Sequence, residues 1–335
     1  MIYLILLLLI IFTISFLWLF LRSIAIRETG SKKIKFSVKG IGIQSVLSKV
    51  LWSVVCTVAV VYCLSLILPL AWMLMSSVKG DFEFRLDPFG IPNPVYFSNY
   101  ADILDRLSVT TGKGVTYSVA DMLINSVIYA VGNSFKAVFW TVSVAYVIAR
   151  FDFKFNRFLY AFGILIMMIP ITGTLAASMI LQKSLGLYDN MYAHLLVPPV
   201  SAFSGLNFMV LHGALRGIPK EYSEAARIDG ASEYKIMYGI IIPMILPTCL
   251  TIFILSFVGL WNSYSEFLIY FPSTPNLAYG MYYFQYRATA GSAGNAATMP
   301  MILAGLTLCM IPSLIIYLSA QKIMRSNFTV GGIKG

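Results

Sequence analysis

The residues of this chain that could do chemistry are few, and none is spaced to make or break a covalent bond. His194 and His212 fall near opposite ends of one apolar segment, too far apart to share a metal. Cys56, Cys63, Cys249 and Cys309 have apolar surroundings and spacings that fit neither zinc nor a redox pair, so they read as small buried hydrophobes. The sequence carries no phosphate-cradling glycine loop, no Gly-x-Ser-x-Gly elbow and no HExxH helix. What remains is the chemistry of contact. Residues 218–243, IPKEYSEAARIDGASEYKIMYGIIIP, gather charge between two apolar segments. A few polar side chains also lie within such segments, chiefly Asn125, Lys136, Asn262, Tyr264 and Glu266.

The charged stretch reads as two short helices joined at a glycine. Pro219 suits a first helical turn, where its missing N–H is no loss. Glu221 and Glu224 follow in the early turns, where the macrodipole favours anions. Gly230 stands where a left-handed residue would end that helix, and Ser232 can cap a second one running through Ile236 toward Pro243. Tyr222, Ala225, Ala226 and Asp229 share one face of the first helix at i, i+3, i+4 and i+7. Paired alanines on an exposed face would let another protein approach the backbone closely. Periodicity alone fits a solvated amphipathic connector equally well.

Charge within an apolar segment marks function by default, because desolvating it is costly. Three readings of Lys136 stay open: it faces a polar cavity, pairs across helices with Glu266, or snorkels along a neighbouring subunit. Asn262, Tyr264 and Glu266 offer hydroxyl, amide and carboxylate groups beside aromatics, which suits a sugar. Trp261 and Tyr264 equally suit an interfacial aromatic belt.

The elements that must position these residues are membrane spans. The chain has 335 residues, is 59% hydrophobic and only 11% charged, and its mean hydropathy is +0.80. Apolar runs near 20 residues, the length a helix needs to cross a bilayer, recur at 2–21, 50–76, 121–149, 158–181, 191–213, 246–270 and 297–321. The short alternating strands of a β-barrel are absent from the sequence. The connections 22–49, 150–157, 214–245 and 322–335 hold 17 of the 24 Lys/Arg, which places them in the cytosol. The net charge of +10 is thus mostly topology, with anionic headgroups as counterions and no call for nucleic acid. Met1–Leu21 lacks a basic n-region and a small-residue cleavage site, so it reads as a retained anchor.

Glu224-Ala225-Ala226, then Gly230, then Ile240-Ile241-Ile242-Pro243 resembles the EAA loop of binding-protein-dependent ABC importer permeases. The family's usual I-x-L-P ending is I-I-I-P here. The fuller string IPKEYSEAARIDGAS resembles the carbohydrate branch and its second maltose-type permease subunit. Asn125-Ser126, AYVIARFDF at 145–153, MIP at 168–170, KSLGLYDN at 183–190, Trp261-Asn262 and the ending Gly331-Gly332-Ile333-Lys334-Gly335 agree with it. The likeness covers about residues 50–335.

That resemblance implies an all-α polytopic membrane protein of the bacterial cytoplasmic membrane. Its parts would be an anchor (1–21), a basic cytosolic linker (22–49), a six-helix type I transmembrane domain (50–321) and a cytosolic tail (322–335). It further implies a sugar or oligosaccharide substrate, a second homologous permease subunit, two cytosolic ATPase subunits and an extracytoplasmic solute-binding protein. ATP and Mg would sit on the ATPases, with no cofactor on this chain and no catalysis by it. Glu224 would meet a basic residue of the ATPase, Ala225 and Ala226 would permit docking, and Gly230 would make the turn. The tail with Gly331 and Gly332 would lie near the ATPases. The outer connection 77–120, with its prolines, acids and aromatics, either packs back over the helix ends or receives the binding protein. A non-sugar solute is the alternative within the family. A secondary transporter is the alternative outside it, though the halves show no inverted repeat and the EAA loop would go unexplained.

Overall fold

Helix α1 (Ile41–Ser77) opens the computed structural model, which describes residues 41–169, 173–289 and 297–329. The predicted anchor 1–21, most of the linker 22–49, Pro170, and Gly331 and Gly332 lie outside the described residues. Two compact units divide the chain, one reaching Asn99 and including Met299–Ala304, the other holding Tyr100–Thr298 and the remainder from Gly305.

In the first unit α1 includes Trp52–Ser77, whose most apolar stretch has no buried residue, so lipid or another membrane subunit must cover it. A short helix, α2 (Asp81–Leu86), and the segment after it fold back onto the end of α1. Trp72 Nε1 donates to Pro88 O at 2.9 Å, and the fully buried Lys79 gives its ammonium to Asp87 O at 2.8 Å. Asn99 Nδ2 donates to Ser77 O and Lys79 O, both at 2.8 Å. Phe82, Leu86, Ile91 and Phe97 still point outward.

The second unit takes in most of α3 (Ser98–Arg106), from Tyr100 on, and a small antiparallel hairpin, β1 (Val109–Thr110) with β2 (Thr116–Tyr117). Its axis is α4 (Val119–Arg150), started by a capping box in which Ser118 and Asp121 satisfy each other's backbone N–H. At 32 residues α4 is about 48 Å long, more than a hydrocarbon core needs. α5 (Asn156–Met168), α6 (Leu175–Ser184), α7 (Met191–Leu196) and α8 (Leu206–Arg216) follow. The predicted spans 158–181 and 191–213 are therefore each in two pieces. Gly173 takes φ +76° in the first break. Pro198 and Pro199, which lack N–H donors, and Gly205 at φ +105° interrupt the second.

The charged stretch gives α9 (Glu221–Ile228), α10 (Glu233–Ile236), a wide π-helical turn over Met237–Ile241 and α11 (Ile242–Met244). A 76° bend at Ile245 then leads into α12 (Leu246–Trp261). α13 (Ser265–Ile269), α14 (Leu277–Thr289) and α15 (Met299–Thr329) complete the described residues. All six core segments read from the sequence are thus helical, three unbroken and three in two pieces. α4 packs on α8 and α12, and Trp261 Nε1 ties α12 to α15 by donating to Cys309 O at 2.9 Å. Trp261 is buried, which removes it from any interfacial belt.

Candidate functional site

The contact loop 218–243 is built as a braced corner. Pro219 lies just ahead of α9 rather than in its first turn, because Lys220 is the N-cap. Gly230 has φ +76°. Around it Ala231 N–H reaches Ala226 O at 2.9 Å and Gly230 N–H reaches Arg227 O at 3.0 Å, the paired bonds that end a helix on a left-handed glycine. Ser232 Oγ accepts from Lys235 N–H and starts α10. Across the corner Arg227 Nε bonds Glu233 Oε1 at 2.6 Å, fixing the two helices to each other.

The faces of α9 correct one expectation. Ser223 and Ala226 are buried, whereas Glu221, Tyr222, Glu224, Ala225 and Asp229 are exposed. Ala226 cannot admit a partner, because it packs into the protein's own core with Tyr146, Ile236, Met237 and Ile241. That core continues through Val142, Leu211, Leu215 and Ile252, so the corner is seated on α4, α8 and α12. Ile228, 87% exposed, and Tyr234, 78% exposed, join the outward face. Sequence reasoning missed both. Their signal was an isolated apolar residue in a charged run. Pro243 is exposed within α11.

The second candidate is a cavity of about 670 Å³ in the second unit, within the range of small-molecule pockets. Its polar lining includes Tyr129, Asn133, Lys136, Gln182, His194 and Glu266. Lys136 Nζ donates to His194 O at 2.8 Å, and Glu266 accepts a hydrogen bond from the Tyr129 hydroxyl. Lys136 and Glu266 therefore share the cavity without a direct ion pair. Gln182 Oε1 and His194 Nδ1 are buried with no hydrogen-bond partner, although both residues line the cavity. Pro198 and Pro199 also line the space, which is where irregular backbone at membrane depth is tolerated.

Three sequence candidates for this path fall elsewhere. Asn125 Nδ2 donates to Pro275 O at 2.9 Å, pinning the start of α4 to the approach of α14. Asn262 turns its amide back on Val258 O at 2.8 Å and ends α12. Tyr264 stacks on Tyr282 at 4.6 Å. Gln182 and His194 were not foreseen, since broken helices bring them to the cavity.

Farther along the same unit, Asp189 (φ +57°) joins three segments. Its carboxylate accepts Lys113 Nζ at 2.7 Å and Ser273 N–H at 2.8 Å, and its own N–H reaches Tyr270 O at 2.8 Å. Burial would raise this carboxyl's pKa, but Lys113 and Ser273 outweigh it and hold it below its ordinary value.

Residues 120–328 match the family model described as binding-protein-dependent transport system inner membrane component. An ABC transporter permease protein of Caldicellulosiruptor sp. is 32% identical over 80% of this chain and 91% of its own length. The melibiose/raffinose/stachyose import permease protein of Bacillus subtilis is 28% identical over 83% and 94%. The trehalose transport system permease protein of Mycobacterium tuberculosis is 28% identical over 85% and 97%. Among solved structures, a bacterial ABC transporter involved in alginate import has a chain of the same fold, with a TM-score of 0.62 at 21% identity over 86% of this chain and 99% of that one.

Proposed function

We infer the function from one premise: this chain belongs to the family of binding-protein-dependent transport system inner membrane components. It is a multi-pass permease subunit of an ABC transporter. We propose that it forms half of the path by which a sugar or oligosaccharide, handed over by an extracytoplasmic binding protein, enters the cytoplasm. The observation that carries the substrate class is the likeness, over four fifths of the chain, to permeases named for raffinose-type sugars and trehalose. The cavity beside Lys136, Gln182, His194 and Glu266 supports it, because amide, imidazole and carboxylate groups beside Tyr129 suit a hydroxyl-rich guest.

In this reading a second homologous permease completes the path, and two separate ATPase subunits bind and hydrolyse ATP with Mg. The corner at Gly230 offers Tyr222, Glu224, Ala225, Ile228 and Asp229 to an ATPase groove. Because its inner face is part of the α4–α8–α12 core, a push on the corner moves those helices as one body. The outward Phe82, Ile91 and Phe97 supply a surface for the binding protein.

Recovery of the chain from native membranes in mild detergent, followed by mass spectrometry, tests the assembly. An ATPase, a second permease and a binding protein that takes up a saccharide are expected. A chain that comes down alone, or whose binding protein takes only non-sugar solutes, overturns the corresponding half of the proposal.

A further inference from the structure

A second cavity, of about 370 Å³, lies where the end of α4, the head of α5 and the foot of α8 meet. It is separate from the translocation cavity and plays no part in the reading above. Lys154, Arg157 and Arg216 converge on it. Its one acid, Asp152, is engaged by Lys220 at 3.1 Å, so the lining is left cationic. His212 also lines it. That ring is 5% exposed and stacks on Tyr160 at 4.3 Å. Three cations and an imidazole around one space describe a site for a phosphate group.

The surroundings choose between a free phosphate ester and one carried by a lipid. Phe153 lines the cavity. Outside the lining, Phe155 just ahead of α5 and Phe158 and Phe162 on it stand 67%, 61% and 42% exposed, with the last two rings stacked at 5.8 Å. A soluble ester has no use for an exposed aromatic helix face, whereas an acyl chain does. The positive-inside assignment puts this end of α4 and α5 at the cytoplasmic leaflet, where anionic lipids are found. We propose that the cavity binds the phosphate of an anionic phospholipid headgroup, with the acyl chains lying along the phenylalanine face of α5.

The test uses the full chain, purified in mild detergent and exchanged into phosphatidylcholine nanodiscs with or without phosphatidylglycerol. Native mass spectrometry on release then counts retained lipid. Phosphatidylglycerol retention is expected for the wild type, with phosphatidylcholine washed away. Lys154→Gln, Arg157→Gln and Arg216→Gln should each weaken retention about fivefold. His212→Phe keeps the ring stack and the charge, and should weaken it too. Lys235→Gln, equally cationic but remote, should leave it unchanged, and Arg157→Lys should retain most of it. A melting curve for every variant separates lost binding from lost folding. Equal losses in Lys235→Gln and the cavity variants would reduce the effect to general surface charge and overturn the site. Binding of glycerol 3-phosphate without retained phosphatidylglycerol would overturn the lipid assignment in favour of a free ester.

Discussion

Replacing Gly230 isolates the geometry of the corner from the chemistry of its surface. A Cβ built at this position meets nothing within 4 Å, so substitution carries no steric term inside the chain. The whole effect comes from φ +76°, a conformation that costs an L-residue roughly 1–2 kcal/mol. The Arg227–Glu233 brace is half exposed and contributes about 1 kcal/mol at most, too little to absorb that strain. Gly230→Ala should therefore lower the population of the native corner roughly 5- to 30-fold. Gly230→Asn should stay near wild type, since asparagine tolerates the left-handed region, and Gly230→Val should be worst. The assay is saccharide-stimulated ATP hydrolysis by the complete transporter in nanodiscs, with membrane abundance as the folding control. A graded order of Gly, Asn, Ala, Val is expected. Wild-type activity in Val, or Asn as damaging as Ala, would refute the backbone argument and point to a partner pressed against position 230.

Gln182→Leu removes an amide side chain from the lining of the cavity proposed as the path. It should raise the half-saturation for saccharide uptake about two- to thirteenfold, the worth of one hydrogen bond; unchanged uptake kinetics would remove Gln182 from the path. Gly163→Ala puts a methyl 2.7 Å from the Phe203 carbonyl oxygen. It should destabilise the chain by about 1–3 kcal/mol in a thermal melt, and an unshifted melt would show that the α5 contact yields freely. Asp189→Asn should cost about 1 kcal/mol or less at neutral pH. Because the folded carboxyl is held below its ordinary value, the contribution is full above the ordinary carboxylate range and lost as pH falls through the folded value. Melting curves of wild type and variant should converge in acid, and a gap that persists there would mean the charge is not what holds the three segments.

What the sequence revealed was local. A glycine nine residues past a charged helix start, and a serine two residues later, are enough to place a left-handed stop and a cap. Lys136 drew notice because a cation in an apolar segment is rare, and it does line the cavity. The burial of Ala226 depends instead on how α4 and α10 approach α9, which periodicity within α9 does not encode. Gln182 and His194 belong to separate segments whose helices are broken, and their meeting is a product of tertiary packing. Asn125 and Asn262 look alike in sequence to pore amides, yet each satisfies a backbone carbonyl where a helix starts or stops.

The two faces of α9 answer to different masters. Ser223 and Ala226 are held by the fold, so changes there disturb the bundle whatever ATPase is present. Tyr222, Ala225, Ile228 and Asp229 are exposed, so if this face docks the ATPase as proposed, they can vary with the partner. On the proposed docking, such a permease can acquire a new energy-supplying subunit by exchanging a handful of outward side chains. Specificity for the motor and integrity of the path then become separable traits, open to independent selection and to engineering on about two turns of helix.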